Sequence, residues 1–266
     1  MTHFANEVAA PSEQVVDIPL GMAHLAIKGL SEDWWLKFLG DVHWQLIADS
    51  VGQKTTVFRD NEGRQMYAAF CATDFRQRQP QMATLGASVQ VRSELSAVGR
   101  SRLQSNHSLT IEGQEIATFR LISTFVVHEE QGVNASISRA TPYLLPVLPE
   151  ATDCFGREMS CLRKSLEDSV PEGERVTLYP SAGVDFNAVG LLYFPSFSRL
   201  FETADAMVNT GQPWSPIKRR TLLYFGNIEI GEAVDCVRQE RTEGTAQLFL
   251  LVKHYLLYTS PSPRDS

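Results

Sequence analysis

The spacing of apolar residues along the chain changes period twice. In GLSEDWWLKFLGDVHWQLIADSVG, Val42, Leu46 and Ile47 recur at helical spacing. Asp41 suits an N-cap and Gly52 a C′ position, so a helix is predicted over Asp41–Ser50, entered through Gly40. The pattern then becomes strand-like in TTVFRD, RQMYAAFCATDFR, ATLGASVQVRSELSAVG, RSRLQSNHSLTIEG and QEIATFRLISTFVVHEE, which alternate or carry β-branched and aromatic residues. Asn61–Glu62–Gly63 and Glu112–Gly113–Gln114 are turn signals, the second joining its flanking strands as a hairpin. Residues 1–19 read as a loose leader. One helix followed by long antiparallel strands predicts an α+β domain whose sheet wraps the helix.

Residues 131–175 form a polar connection that includes TPYLLPVLPEAT, where Pro142, Pro146 and Pro149 preclude regular structure, with enough apolar residues to pack on a surface. The pattern then restarts. RVTLYPSAGVDFNAVGLLYFPSFSRLFETADAMV gives a strand, a loop and a helix from about Pro195, and RRTLLYFGNIEIGEAVDCVRQE and GTAQLFLLVKHYLL give strands, with turns at Gly226–Asn227 and Glu243–Gly244. WLKFLGDVHWQLIADS matches GLLYFPSFSRLFETAD in length and apolar placement, a weak internal duplication. The expected organisation is a first unit over 1–135, a linker over 136–175, an incomplete second unit over 176–257 and a tail over 258–266. The tail resembles a translated sequencing adapter and is expected to be non-native, with the natural chain running on.

The 266 residues, 43% hydrophobic and 21% charged, can build a sizeable core. A net charge of −7 argues against broad nucleic-acid binding. The four cysteines show no metal-ligand spacing, and neither a signal peptide nor a membrane-spanning run is present, so a cytoplasmic protein with reduced thiols is expected.

PLGMAHLAIKGLSEDWWLKFLGDVHW, NEGRQMYAAF, VRSELSAVGRSRLQSNHSL, DFNAVGLLYFPSF and RRTLLYFGN together resemble the tandem (double) hot-dog proteins, and among them the LnmK-type bifunctional acyltransferase/decarboxylases of polyketide biosynthesis. The resemblance covers most of residues 19–255. It implies two units, each an antiparallel sheet around a central helix, with acyl thioesters bound between them. It implies an enzyme that takes methylmalonyl-CoA, forms an acyl intermediate, loses carbon dioxide and passes propionyl to an acyl carrier protein. No metal or organic cofactor is implied beyond the coenzyme A thioester, and a homodimer is compatible with it.

By position, Tyr67 matches the acyl-accepting tyrosine of such enzymes, although a phenol with an ordinary pKa of about 10 needs activation. His43 is a candidate acid/base, or a donor to the thioester carbonyl, near the expected helix start. Gly40 would let backbone N–H groups at that start approach an oxyanion. Asp185 and Asn187 occupy the equivalent loop of the second half, where hot-dog enzymes place active-site residues; a plain Asx turn is the alternative. Arg92, Arg100 and Arg102 are candidates for coenzyme A phosphates, and Lys218, Arg219 and Arg220 for a patch facing an acidic partner. Ser105, Asn106 and His107 are not expected to form a nucleophile–base pair, because adjacent strand residues point to opposite faces. Thioester hydrolysis, dehydration and a non-catalytic carrier-docking role remain alternatives on the same fold.

Overall fold

A computed structural model describes residues 13–144, 147–167, 172–209, 216–239 and 248–253. In chain order the elements are β1 (Glu13–Pro19), α1 (Glu32–Ser50), β2 (Phe58–Arg59), β3 (Gln65–Gln77), β4 (Ser88–Val98), β5 (Arg102–Ile111), β6 (Gln114–His128), β7 (Ile137–Arg139), α2 (Phe155–Glu167), β8 (Glu174–Leu178), α3 (Ala182–Asp185), α4 (Phe194–Val208), β9 (Arg219–Leu223), β10 (Val234–Gln239) and β11 (Leu248–Lys253).

The central helix starts earlier than expected. The apolar spacing continues back through Leu39, Leu36 and Trp35, all buried, so α1 begins at Glu32. Its N-cap is Ser31, whose Oγ accepts from Trp34 N at 3.4 Å, with Glu32 and Asp33 complementing the helix dipole in the first turn. The expected cap at Asp41 and helix entry at Gly40 are therefore corrected: both lie inside the helix. Gly52, at φ +68°, follows the C-cap as expected. Gly40 has a different use. A Cβ there would come within 2.9 Å of the Phe194 ring on α4, so the missing side chain lets the two helices cross.

Antiparallel strands curl around α1 in the order β1-β4-β5-β6-β3-β2. Val89, Val91, Leu109, Phe119 and Leu121 point inward against Trp35, Leu36 and Leu39. The loose leader is a second correction: β1 pairs with β4, Val16 opposite Val91, so part of it is an edge strand. The hairpin between β5 and β6 holds, with Glu112 (φ +52°) and Gly113 (φ +75°) in the left-handed conformations of a type I′ turn.

The 131–175 connection also contains more order than its prolines suggested. Beyond Pro149, Phe155, Met159 and Leu162 recur at i, i+4 and i+7 and form one face of α2. That face rests on Ala72 and Ile122, on the outer side of the sheet. The segment packs on a surface, as anticipated.

In the second half the order β8-β10-β11 repeats β1-β4-β5, and α4 stands to β8 as α1 does to β1. The strand after α4 leaves this small sheet: β9 pairs with β3, Leu223 opposite Ala72 and Arg219 opposite Arg76. Asp74, 1% exposed, accepts from Arg120 Nη2 (2.7 Å), Arg219 Nε (2.9 Å) and Thr221 Oγ1 (2.6 Å) across this joint. On the other face of β9, Arg220 pairs with Glu32 of α1 at 2.7 Å. The expected patch at Lys218–Arg220 is thus corrected, since two of its three cations are bound within the chain. The Glu243–Gly244 turn and the tail at 258–266 lie outside the described residues.

The crossing at Gly40 generates a prediction. Gly40→Ala gains up to about 1 kcal/mol of helix propensity, but pushing the buried Phe194 ring aside costs about 1–3 kcal/mol. Urea unfolding should show net destabilisation; a more stable variant would refute the close crossing.

Candidate active site

β3 is paired with β6 along its length, but its other edge is shared. β2 covers Gln65–Met66 and β9 covers Ala72–Arg76, leaving Tyr67–Phe70 with no strand on that side among the described residues. A cavity of about 1110 Å³ opens along this gap, walled by Tyr67, Phe70 and Cys71 of β3 and by Asn187, Phe194 and Phe225 of the second half.

A bulge sets what faces the cavity. Phe70 pairs with Ser123 and Ala72 with Ile122, so Cys71 is the extra residue and the facing parity of β3 changes there. Ala68 and Phe125 lie in the core with α1, so their neighbours Tyr67 and Val126 face outward. The half-buried Tyr67 ring meets His128 edge-on at 5.7 Å, and its hydroxyl has no hydrogen-bond partner among the described residues.

Asn187 also lines the cavity. Its Oδ1 accepts from Val189 N (3.2 Å) and Leu191 N (3.0 Å), an Asx-type turn, while Nδ2 has no partner among the described residues. Asp185 is turned away from the cavity. Fully buried, its carboxylate accepts from Arg199 Nε at 2.9 Å, from Arg199 Nη2 and from Ser181 N at 2.7 Å, which fixes the loop ahead of α4. Asp41 lines the cavity from α1; burial pushes its pKa up, and its charge helps burial hold the Tyr193 phenol up at about 12.

His43 is not brought to the cavity. It sits mid-helix and fully buried, 2.7 Å from Ser105 Oγ through Nδ1 and 2.7 Å from Ser123 Oγ through Nε2. Ser105 in turn meets His107 Nε2 at 2.8 Å, and His107 Nδ1 meets Ser93 Oγ at 2.7 Å. The expectation that Ser105 and His107 would stay apart is corrected: two residues apart on a strand, they share a face. The resulting row of three serines and two histidines is enclosed in the core.

The three candidate phosphate ligands do not form one patch. Arg92 pairs with Glu13 and Glu94, each at 3.0 Å, in a separate hollow on the outer face, roughly 20 Å along β4 from Arg102 by strand rise. Arg100 is exposed at the β4–β5 turn. Arg102 donates to Ser160 Oγ of α2 at 3.2 Å, beside the cavity.

The cavity's own cations were not anticipated. Arg139 stands on the short strand β7, and Arg163 on α2 donates to Tyr224 O at 3.2 Å with its head 4.5 Å from the Phe225 ring centroid. The i, i+4, i+7 pattern of α2 would have exposed Arg163; Arg139 required the strand register. Burial raises the Cys71 thiol pKa, and the charges of Arg102, Arg139 and Arg163 pull it back. Among the described residues no group of three or more His, Cys, Asp or Glu is placed to hold a metal, and no helix is long and apolar enough to cross a membrane.

Solved structures show the same architecture. An acyl-ACP thioesterase from Bacteroides thetaiotaomicron superposes with TM-score 0.60 at 12% identity, over 91% of this chain and 98% of that one. A 12:0-ACP thioesterase from Umbellularia californica gives 0.59 at 12%, over 91% and 92%. An oleoyl thioesterase (putative) from Lactobacillus plantarum gives 0.62 at 9%, over 92% of each chain. No protein-family model and no curated protein sequence matches the chain. At these identities the likeness establishes the fold: an α+β tandem hot-dog.

The enclosed histidines carry a prediction. Burial lowers both His43 and His107 to about 3, with His43 adding a further lowering at His107. The folded protein keeps them neutral, while the unfolded chain takes up protons below about 6.5. Their contribution to stability is complete above that pH and falls as pH drops toward 3. In an NMR titration of the six histidines, the two assigned to His43 and His107 should stay neutral from pH 8 to 5; titration of either near 6.5 would show that the row is open to water.

Proposed function

We propose that the chain is an acyl-thioester enzyme working in the cavity between its two halves: an acyltransferase/decarboxylase that takes methylmalonyl-CoA and loads propionyl onto an acyl carrier protein. The observation that carries this reading is Tyr67, which lines the cavity with a hydroxyl that has no hydrogen-bond partner among the described residues. Two of the structural neighbours are acyl-ACP thioesterases, so in those proteins this fold handles acyl chains on a carrier.

In this mechanism the Tyr67 oxygen attacks the thioester carbonyl, the C–S bond breaks, and the coenzyme A thiolate takes the proton that Tyr67 lost. The C–C bond to the carboxylate then breaks. Carbon dioxide leaves and its bonding pair moves into the ester carbonyl as an enolate, toward which Asn187 Nδ2 is free to donate. A proton from solvent water adds at the carbon that lost the carboxylate to give the propionyl ester, and the hydroxide left behind combines with the carbon dioxide as bicarbonate. The carrier thiol attacks that ester, and Tyr67 departs as the phenol with the thiol's proton. The reaction needs no metal or organic cofactor.

Hydrolysis needs a carboxylate or histidine base on a positioned water. Among the described lining residues the one carboxylate is Asp41 and there is no histidine, so Asp41 is the base on which a hydrolytic reading would depend.

Protein mixed with methylmalonyl-CoA and a phosphopantetheinylated carrier should give a propionyl mass on the carrier. Tyr67→Phe should lose at least about 100-fold in loading rate with an unchanged thermal midpoint. Free acid and coenzyme A without loaded carrier would replace the reading with a thioesterase, and full loading by Tyr67→Phe would remove Tyr67 from the chemistry.

A further inference from the structure

The strand register brings three arginines to the face on which Tyr67 stands. Tyr67, Val126 and Arg139 form one row across β3, β6 and β7. Cross-strand partners share a face, so Tyr67 and Arg139 leave the sheet on the same side, flanking Val126. The next row is Ala69, Thr124 and Arg102. Arg102 and Arg139 therefore lie on the same side of β6, opposite residues two apart along it. α2, packed on this face through Phe155 and Met159, contributes Arg163. The pull of all three charges on the Cys71 thiol agrees with this convergence. Arg139 is exposed at the rim and has no ion pair among the described residues. Asp41, the one carboxylate of the described lining, stands on α1.

We propose that Arg139, backed by Arg102 and Arg163, determines specificity by accepting the free carboxylate of a malonyl-type acyl thioester. The inference rests on the reading of Tyr67 as acyl acceptor. Such a substrate carries two kinds of oxyanion, the acyl carboxylate and the phosphate of its pantetheine arm. The row decides between them. With strands about 4.8 Å apart, the Tyr67 and Arg139 Cα atoms are separated by about 10 Å, and both side chains leave the sheet on the side that Val126 faces. A guanidinium placed there meets a carboxylate held one carbon away from the carbonyl carbon that Tyr67 attacks; the phosphate lies at the far end of the arm. The planar fork of arginine matches a carboxylate with two parallel hydrogen bonds. Because the contact stabilises the carboxylate before it is lost, it contributes to selection and binding rather than to the rate of carbon dioxide loss.

The test is calorimetric titration with unreactive analogues whose thioester sulfur is replaced by NH: malonyl-pantetheine, acetyl-pantetheine and acetyl-CoA. The wild type should bind the malonyl analogue about tenfold or more tighter than the acetyl analogue. Arg139→Gln should erase that difference, Arg139→Lys should restore part of it, and the thermal midpoint should not move. In turnover, Arg139→Gln should raise KM for methylmalonyl-CoA and leave kcat within about twofold. A malonyl preference that survives Arg139→Gln overturns the proposal. So does a variant that loses only the advantage of acetyl-CoA over acetyl-pantetheine, which would assign the arginines to phosphate. If the wild type binds none of the three analogues, the active-site reading itself fails; if they bind without malonyl preference while Tyr67→Phe still abolishes loading, only the role of Arg139 fails.

Discussion

The two halves of the chain are joined by a carboxylate taken out of water. Asp74 receives Arg120 from β6 in the first half and Arg219 and Thr221 from β9 in the second. Burial alone would raise its pKa, but the hydrogen bonds from Thr221, Arg120 and Arg219 outweigh burial and hold it below the usual carboxylate range. Removing one partner of a buried charge cluster costs roughly 3–5 kcal/mol, because the remaining charges lose their compensation. Successive residues of β9 face opposite ways, so Arg219 reaches Asp74 outside the sheet while Arg220 reaches Glu32 inside it. The seam is clamped on both faces, and the cavity exists because the clamp stops at Ala72.

The bulge at Cys71 lets one strand serve two purposes. Beyond it, Ala72 and Asp74 face outward, toward α2 and the clamp. Before it, Tyr67 and Ala69 face the same way, on the open edge. Without the extra residue, one of these sets would point into the core. The histidines show the opposite outcome. His43 and His107 are the residues that a search for acid/base chemistry would select, yet each is closed in by serines and kept neutral by desolvation. The reactive candidate is instead a group that the core leaves unsatisfied.

Much of this architecture was legible in the sequence. The strands β2 to β6, the β5–β6 hairpin, the helix beginning near Pro195 and the two-part plan follow from alternation, turn chemistry and repeated pattern. Tyr67 and Asn187 do meet in one cavity. The errors have physical causes. Gly40 interrupts the look of α1 but sits where another helix must pass, so it marks a crossing and not an end. Val16 and Ile18 carry the inward alternation of β1 among polar neighbours and a proline, too few to stand out. α2 was hidden by the prolines that precede it. Asp185 has the composition of a site residue and the partners of a loop anchor. Arg139 was invisible because its meaning lies in strand register, which no local pattern contains, and Arg163 was missed together with the helix that carries it.

The duplication also explains why the site is one-sided. α1 and α4 cross where Gly40 meets Phe194. Two copies of one unit cannot both place a ring at this point; one must give way. Here the first half gives way with a glycine, and the second fills the space with Phe194, which packs 4.1 Å from Phe70. The ring from α4 thereby becomes a wall of the cavity, while β3 contributes Tyr67 to it. A symmetric pair would have built two equivalent clefts or none. The asymmetry at the crossing sets the described cavity between Tyr67 and Cys71 of β3 and the Phe194 and Phe225 rings and Asn187 of the second half.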